Sequence, residues 1–397
     1  MGRHRAGPAP RSWGTPSPRP RGLSRSRRGP VRRARWGSPV GGTTRPALAA
    51  LVCVLLLLGG SRAGSQVLHG GGAAASLRAT AVAGGGGAAP LAAHAGTAAA
   101  PLTSASPAEV VPVTVVAAGD IACAPGTRVT RRQCQQVATS SLALRQHPDA
   151  VLPLGDNQYE AGSIAEYRAS YAASWGRLDA IAHPVPGNHE YGYLGDAGVP
   201  SGGQGYFSYF GDRSHPLDPG CTSQCISWYS WDIGGWHLIA LDSQCGEIGG
   251  CGPGTPQFNW LLSDLNASTA RCVLAYWHIP VFSSSQDHQP DMSPILQLLY
   301  AKGADVVLNG HAHFYERFAP QDAAGNPDPV RGLTQFVVGT GGRSFFPVLA
   351  TPARNSRVVI ADTFGVLRLR LQPGGYQWTF LPVNRRGRSD AGTARCH

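Results

Sequence analysis

Ala304-Asp305-Val306-Val307-Leu308-Asn309-Gly310-His311-Ala312-His313 is the stretch that decides the fold. The apolar run predicts a buried strand over 304–309. The two histidines then stand at the strand's carboxyl end, where both can face one metal ion from an irregular turn. A His-x-His pair alone is more often a surface feature. The rest of the chain changes that reading, because four other strand-like runs also end on a ligand-type residue: Asp120, Asp156, Asn188 and His278.

Composition narrows the field. The chain has 397 residues and a formal charge of +11. Residues 1–63 hold 13 of the 34 basic residues and no acid, which leaves 21 basic and 23 acidic side chains from residue 64 on, a net of −2. The basic balance therefore belongs to a leader, and the folded body has no excess of charge to attract nucleic acid. Nine cysteines are present. Cys53 lies in the leader, and no Cys-x-x-Cys occurs, so nothing points to a zinc–thiolate site. The other eight favour disulfides in an exported chain. Eight cysteines allow 105 connectivities, among which the sequence does not choose; pairing near neighbours would give 123–134, 221–225 and 245–251, and by elimination 272–396.

Along the chain, residues 47–60 form an apolar run that reads as the core of a signal peptide. Ser61-Arg62-Ala63 offers small residues for cleavage after Ala63. The run is short for a membrane span, which needs about 20 residues, so no stable span is expected after cleavage; an uncleaved anchor is the alternative. The basic preface is too long for an ordinary leader, so either translation starts further on or the leader is unusual. Arg27-Arg28 and Arg32-Arg33 make only a weak twin-arginine signal. Residues 64–110 are Ala, Gly, Ser, Thr and Pro, too poor in large apolar side chains to offset ordering entropy, and read as a linker. The folded domain is expected at 111–397.

Within it, strands are predicted at 113–119, 150–155, 228–233, 236–242, 272–277, 304–309, 333–338, 364–371 and 376–383, with an extended run at 181–187. Helices are predicted at 130–146, from Ser163 to about Leu178 with a Ser163/Glu166 capping box, at 255–266 and at 293–302. Residues 191–225, rich in Gly, Ser and Tyr, read as a long functional loop. Helices and strands alternate first and hairpins follow, which predicts an α/β sandwich with mixed sheets and a site at the strands' carboxyl ends.

Five motifs carry the chemistry: Gly119-Asp120, Gly155-Asp156-Asn157-Gln158-Tyr159, Gly187-Asn188-His189-Glu190, His278 after Ala275-Tyr276-Trp277, and Gly310-His311-Ala312-His313. Taken singly, each has a plainer explanation. Asp120 and Asp156 could cap helices, Asn188 could be a turn residue, Tyr159 could be core and His278 a satisfied buried histidine. Taken together they offer carboxylates, an amide oxygen, a phenol and imidazoles, a set that suits hard or borderline metal ions. Seven ligands exceed one ion's needs; two ions about 4 Å apart with a shared carboxylate form the usual clamp for displacement at phosphorus.

The set resembles the calcineurin-like metallophosphoesterases, and within them the purple acid phosphatases and their bacterial relatives, over roughly 113–345. The wider superfamily carries Asp-x-His in the first motif; here Ala122 stands in that place. Tyr159, three residues after Asp156, is the purple acid phosphatase alternative, and Tyr315-Glu316-Arg317 also matches that subgroup.

The resemblance implies a four-layer αββα sandwich with two mixed β-sheets. It implies an Fe(III) site of Asp120, Asp156, Tyr159 and His313. It implies a second site for Fe(II), Zn(II) or Mn(II), made of Asp156, Asn188, His278 and His311, with Asp156 bridging. The implied reaction is hydrolysis of a small phosphate monoester by a metal-bound hydroxide. His189 would face the phosphate, stabilise the transition state or protonate the leaving oxygen. His288 stands where the family keeps a substrate-facing histidine, and Asp287 where plant members often have another. Arg343 contacts substrate or is simply solvated. A phosphodiesterase or nucleotidase on the same centre is the alternative enzyme; a surface binding protein with a vestigial site is the alternative without catalysis. Residues 191–225 and 281–291 would shape the pocket.

Overall fold

The computed structural model describes residues 111–192, 202–286 and 288–397. The leader 1–63, its apolar run and the linker 64–110 lie outside the described residues, as does Asp287. Among the described residues, twelve strands form two mixed sheets. The elements in chain order are β1 (Val113–Ala118), α1 (Gln136–Leu144), β2 (Ala150–Pro153), α2 (Ile164–Glu166), α3 (Gln204–Phe210), β3 (Tyr229–Ile233), β4 (Trp236–Ala240), α4 (Pro256–Ala267), β5 (Cys272–Tyr276), α5 (Ser293–Ala301), β6 (Val306–Asn309), β7 (Tyr315–Phe318), β8 (Thr334–Val338), β9 (Ser356–Ile360), β10 (Gly365–Gln372), β11 (Gly375–Pro382) and β12 (Asp390–Arg395).

The first sheet has the order β12-β11-β10-β1-β2 and the second β3-β4-β5-β6-β8-β7-β9. β1 and β2 run parallel, as do β4, β5, β6 and β8; the remaining pairings are antiparallel. Buried side chains from both sheets, among them Val115, Leu369, Leu238 and Tyr276, share one core. A second core lies between β4–β6 and helices α4 and α5, through Leu261, Ile295, Leu299, Val273 and Val307. Helix α1 packs on β10. The expected arrangement of helices outside two mixed sheets is what forms.

Local signals account for most elements. Ser163 and Glu166 form the capping box, but α2 lasts only Ile164–Glu166 before the path widens into a π turn at Tyr167–Tyr171 and tightens to a 3₁₀ turn at Trp175–Ile181. Pro256 opens α4 at its first turn. Gly234 and Gly235, at φ 60° and 80°, make the two-residue turn between β3 and β4.

Four expectations are corrected. The helix expected at 130–146 starts only at Gln136, because residues 124–135 form a small hairpin closed by Cys123–Cys134. Residues 181–187 make isolated bridges, Val151 to Ala182 and Leu154 to Val185, rather than a strand. Within 191–225, Tyr206, Phe207 and Phe210 of α3 are buried, and Phe210 packs edge-on against Tyr167, Tyr171 and Tyr206, so this part is core. β7, β9 and β12 were not expected. The four disulfides join the expected pairs, with Cα–Cα separations of 5.3–5.7 Å. No helix among the described residues is long and apolar enough to cross a membrane.

Candidate metal centre

The carboxyl ends of β1, β2, β5 and β6 lie side by side, and each turns sharply into the same space. The turns are unusual. Asp120, Asp156 and His311 sit at φ 59°, 46° and 67°, a left-handed region that non-glycine residues seldom occupy. Three of the expected ligands thus share one rare backbone conformation. Two glycines make room. Gly155 lies at φ 82°, and a Cβ there would come within 2.6 Å of the His278 ring. A Cβ on Gly187 would overlap Asp156 Oδ1.

Six of the seven expected ligands converge, and the seventh, Asn188, lines the cavity beside them. The Tyr159 hydroxyl lies 2.9 Å from Asp120 Oδ1, 2.9 Å from Asp156 Oδ2 and 3.1 Å from His313 Nε2. His313 Nε2 is 3.1 Å from Asp120 Oδ1. On the other side, His278 Nε2 is 3.3 Å from Asp156 Oδ1 and 3.2 Å from His311 Nδ1. Asp156 therefore turns one oxygen to each group. Asn188 Oδ1 is buried with no hydrogen-bond partner.

Donors and acceptors do not balance. His278 Nδ1 donates to Leu154 O at 2.8 Å, so the neutral ring would turn its Nε2 lone pair to the site. It meets another imidazole nitrogen and a carboxylate. One phenolic proton faces three acceptors. An orphaned amide oxygen adds a further acceptor. Such an excess is costly when buried and is relieved by cations. Asp156, His278 and His311 offer donor atoms within 4.8 Å of one another. Two other such groupings among the described residues, Asp218 with Cys221 and Cys225 and Asp305 with Cys272 and Cys396, each lose their cysteines to a disulfide.

The electrostatics carry the same mark. Burial alone would raise the Asp156 carboxyl, but the imidazoles of His278, His189 and His311 outweigh it and hold the group well below the usual range. Burial would lower His278, yet the Asp156 carboxylate raises it to about 9. Burial and the neighbouring His278 push His311 down to about 4. Burial and the charges of Asp120 and Asp156 push the Tyr159 phenol well up. Bound cations reverse that last effect, because a positive ion favours phenolate over phenol.

Residues that bear no ligand hold the frame. Glu190, buried, accepts from Gly187 N at 2.7 Å, Asn157 N at 2.9 Å, Gln158 N at 3.2 Å and the Tyr167 hydroxyl at 2.8 Å. It ties the loop of Asp156 to the loop of Asn188, and burial and Asp156 raise its carboxyl to about 7. Ser344 Oγ lies 2.9 Å from His313 Nδ1 and sets that ring's orientation. Neither role was expected. Glu190 had a signal in its place beside His189; Ser344, 31 residues from its histidine, had none.

His189 is placed differently from the ligands. Its Nδ1 bonds the Glu160 carbonyl, which can only accept, so Nδ1 carries a proton. Its Nε2 points inward, 3.9 Å from Asp156 Oδ2. The cluster opens into a cavity of about 730 Å³. Its walls include His189, His288, Gln244, Gln289, Arg343 and Phe346. His288 is exposed on the rim, with Nδ1 3.3 Å from Ser285 O, and does not reach the cluster. Residues 286, 288 and 289 line the cavity as expected for 281–291; no described residue of 202–225 does.

A fold of two mixed sheets with ligands on the strand ends is that of the calcineurin-like phosphoesterases, and the chain belongs to this family, which it matches over residues 113–315, just over half its length. Within the family it is similar to the purple acid phosphatases. It is 27% identical over 210 residues to purple acid phosphatase 15 of Arabidopsis thaliana, covering 45% of this chain and 37% of that protein. It is 29% identical over 199 residues to acid phosphatase type 7 of Homo sapiens, covering 43% and 41%. A purple acid phosphatase structure from yellow lupin (Lupinus luteus) seeds superposes with a TM-score of 0.54 at 18% identity, covering 73% of this chain and 55% of that one. The chain thus spans about two fifths of the length of these curated relatives. Similarity to the purple acid phosphatases is what points to a dinuclear metal centre.

Proposed function

We propose that the chain hydrolyses phosphate monoesters at a dinuclear centre. The observation that carries this reading is the way Asp156 offers one oxygen to each of two ligand groups, beside an orphaned buried Asn188 Oδ1. Asp120, Asp156, Tyr159 and His313 would hold Fe(III). Asp156, Asn188, His278 and His311 would hold Fe(II), Zn(II) or Mn(II). The phenol supports iron at the first position, because phenolate is a hard anionic donor. Such a pair of ions supplies Lewis acidity at phosphorus and makes water acidic enough to attack near neutral pH.

The chain's own groups do the rest. His189 keeps its Nδ1 proton on the Glu160 carbonyl, so Nε2 is the atom that exchanges a proton with the substrate. In its protonated form Nε2 stabilises charge on the phosphoryl oxygens or donates to the leaving oxygen. His288, on the rim of the same cavity, would meet the leaving group from outside. Glu190 and Ser344 hold the ligands in place.

The four disulfides support an oxidising compartment. Together with the apolar run at 47–60 they support export by a cleaved signal peptide.

The test is metal content and turnover of phenyl phosphate, with a diester for comparison, in wild type and variants. Asn188→Ala and His278→Ala should lose one ion and most activity. His189→Ala should keep both ions and turn over more slowly. Near-normal turnover in Asn188→Ala at saturating metal would refute the ligand assignment, and loss of metal from His189→Ala would refute the role given to that residue.

A further inference from the structure

The turn Gly339-Thr340-Gly341-Gly342-Arg343 ends on the only lysine or arginine among the described residues that line the cavity. Its backbone is firmly held. Arg343 N donates to Asp120 O at 2.9 Å, and Arg343 O accepts from Cys134 N at 3.2 Å, on the disulfide-closed hairpin. The guanidinium therefore projects from a rigid base attached to a metal-ligand turn.

The head group is only partly satisfied. Its Cζ lies over the Tyr159 ring, 5.0 Å from the centroid. Nη2 pairs with Glu160, and Nε is buried with no partner. The Glu160 side chain is 50% exposed and that of Arg343 22%, so the pair stands at the cavity mouth. An ion pair with a half-exposed partner is weak. A planar, bidentate oxyanion makes a stronger partner for guanidinium than one carboxylate oxygen does.

The position separates Arg343 from the reacting group. The hydroxyl end of Tyr159 meets Asp120 and Asp156, while the guanidinium covers the face of the ring. A phosphoryl group held at the cluster leaves Arg343 facing whatever the substrate carries beyond it. We propose that Arg343 and Glu160 form a selectivity pair for substrates bearing a second anionic group, phosphate or carboxylate. Arg343 receives that group, and Glu160 is the internal carboxylate it displaces. This deepens the phosphoester reading above and rests on it.

The experiment uses the metal-loaded full chain and three substrates: phenyl phosphate, 4-carboxyphenyl phosphate and inorganic pyrophosphate. The readout is the ratio of kcat/KM for each dianionic-group substrate to that for phenyl phosphate; the two ratios tell carboxylate from phosphate as the preferred second group. Arg343→Gln should lower at least one ratio about tenfold, the loss expected for one charge-assisted contact, with Arg343→Lys in between. Glu160→Gln should raise the same ratio, and should change nothing in the Arg343→Gln background. Ratios equal in wild type and Arg343→Gln would overturn the proposal, whether both rates fall or neither does. A fall of metal content in Arg343→Gln would also overturn it, since the arginine would then serve only to prop Tyr159. If wild type turns over none of the substrates, the phosphoester reading fails by itself. Calorimetry with methylenediphosphonate against phosphate then decides the pair: tighter diphosphonate binding lost in Arg343→Gln sustains it, and equal binding in both proteins ends it.

Discussion

Replacing Asp390 with asparagine should destabilise the domain by about 2 kcal/mol, below the range for breaking one side of a fully buried ion pair, because the pair with Arg317 is only part-buried. The residue lies at the start of β12 and reaches across to β7. Its Oδ2 accepts from Arg317 Nε at 2.6 Å, the Tyr315 hydroxyl at 2.6 Å and Trp378 Nε1 at 3.1 Å. Its Oδ1 accepts from Arg317 Nη2 at 3.1 Å. Arg317 also lies 5.1 Å over the Trp378 ring. The two sheets are thereby joined beside the strand that follows His313. Asparagine keeps one oxygen for three of the donors but turns an amide NH₂ toward Arg317 Nη2 and leaves that cation without its charge partner. The loss is a large share of the roughly 5–15 kcal/mol that domains possess.

Urea unfolding followed by tryptophan fluorescence measures it. Burial opposes ionisation of Asp390, but its bonds from Arg317 and Tyr315 hold its carboxyl below the ordinary 3.8. The contribution is therefore present above that value and lost as pH falls through the depressed pKa, so the gap to asparagine should narrow in acid. The pair Arg317→Met with Asp390→Asn should cost less than asparagine alone, since it leaves no charge unpaired and keeps an acceptor for the Tyr315 hydroxyl and Trp378 Nε1. Folded Asp390→Asn should retain its metal, because Asp390 touches no member of the cluster. A loss under about 1 kcal/mol, or a double variant worse than the single one, would refute this reasoning.

Gly187→Ala should cut turnover and metal affinity about 10–100-fold, because its methyl group overlaps Asp156 Oδ1 and crowds the His278 ring; metal titration of the purified variant checks it. His237 bridges Asp232 at 2.7 Å and Asp264 at 2.8 Å. Burial would lower it, but the two carboxylates raise it above 6.5, so its contribution is full below 6.5 and lost as pH rises through the raised value. His237→Gln should therefore be most destabilised near pH 5.5 and converge on wild type in alkali, as unfolding curves at several pH values would show. Removing Cys272–Cys396, which closes a span of 124 residues, should cost about 5 kcal/mol, against about 2 for Cys221–Cys225 with its separation of 4; paired alanine variants compared by thermal unfolding test the ordering.

The parts of this molecule that were legible beforehand are those whose cause is local. The apolar strands ending at Asp120, Asp156, His278 and His311 are continuous and buried on both faces. The capping box at Ser163 and the Gly234-Gly235 turn are signalled by residue type. What was not legible depends on distant partners. β7, Tyr-Glu-Arg-Phe, looks too polar for a buried strand. Tyr315 and Arg317 are drawn to Asp390, while Glu316 on the other face accepts from Ser284 N and Ser356 Oγ at 2.8 and 2.6 Å. β9 and β12 are edge strands whose sequences carry little apolar alternation. Conversely, 181–187 has strand composition, but it meets β2 only at isolated bridges.

For the site, residue type and order along the chain were enough to single out Asp120, Asp156, Tyr159, Asn188, His278, His311 and His313 as the proposed ligands. The residues that support them were less visible. Glu190 acts on three backbone N–H groups, an interaction with no side-chain pattern. Arg343 acquires its surroundings from Tyr159 and Glu160, more than 180 residues away.

The most direct test of the central claim is the visible absorption spectrum and metal content of the purified chain beside its Tyr159→Phe variant. The account predicts two ions per wild-type chain and a tyrosinate-to-iron charge-transfer band that the variant lacks. A band unchanged in Tyr159→Phe, or a wild-type chain that binds no metal, would contradict it.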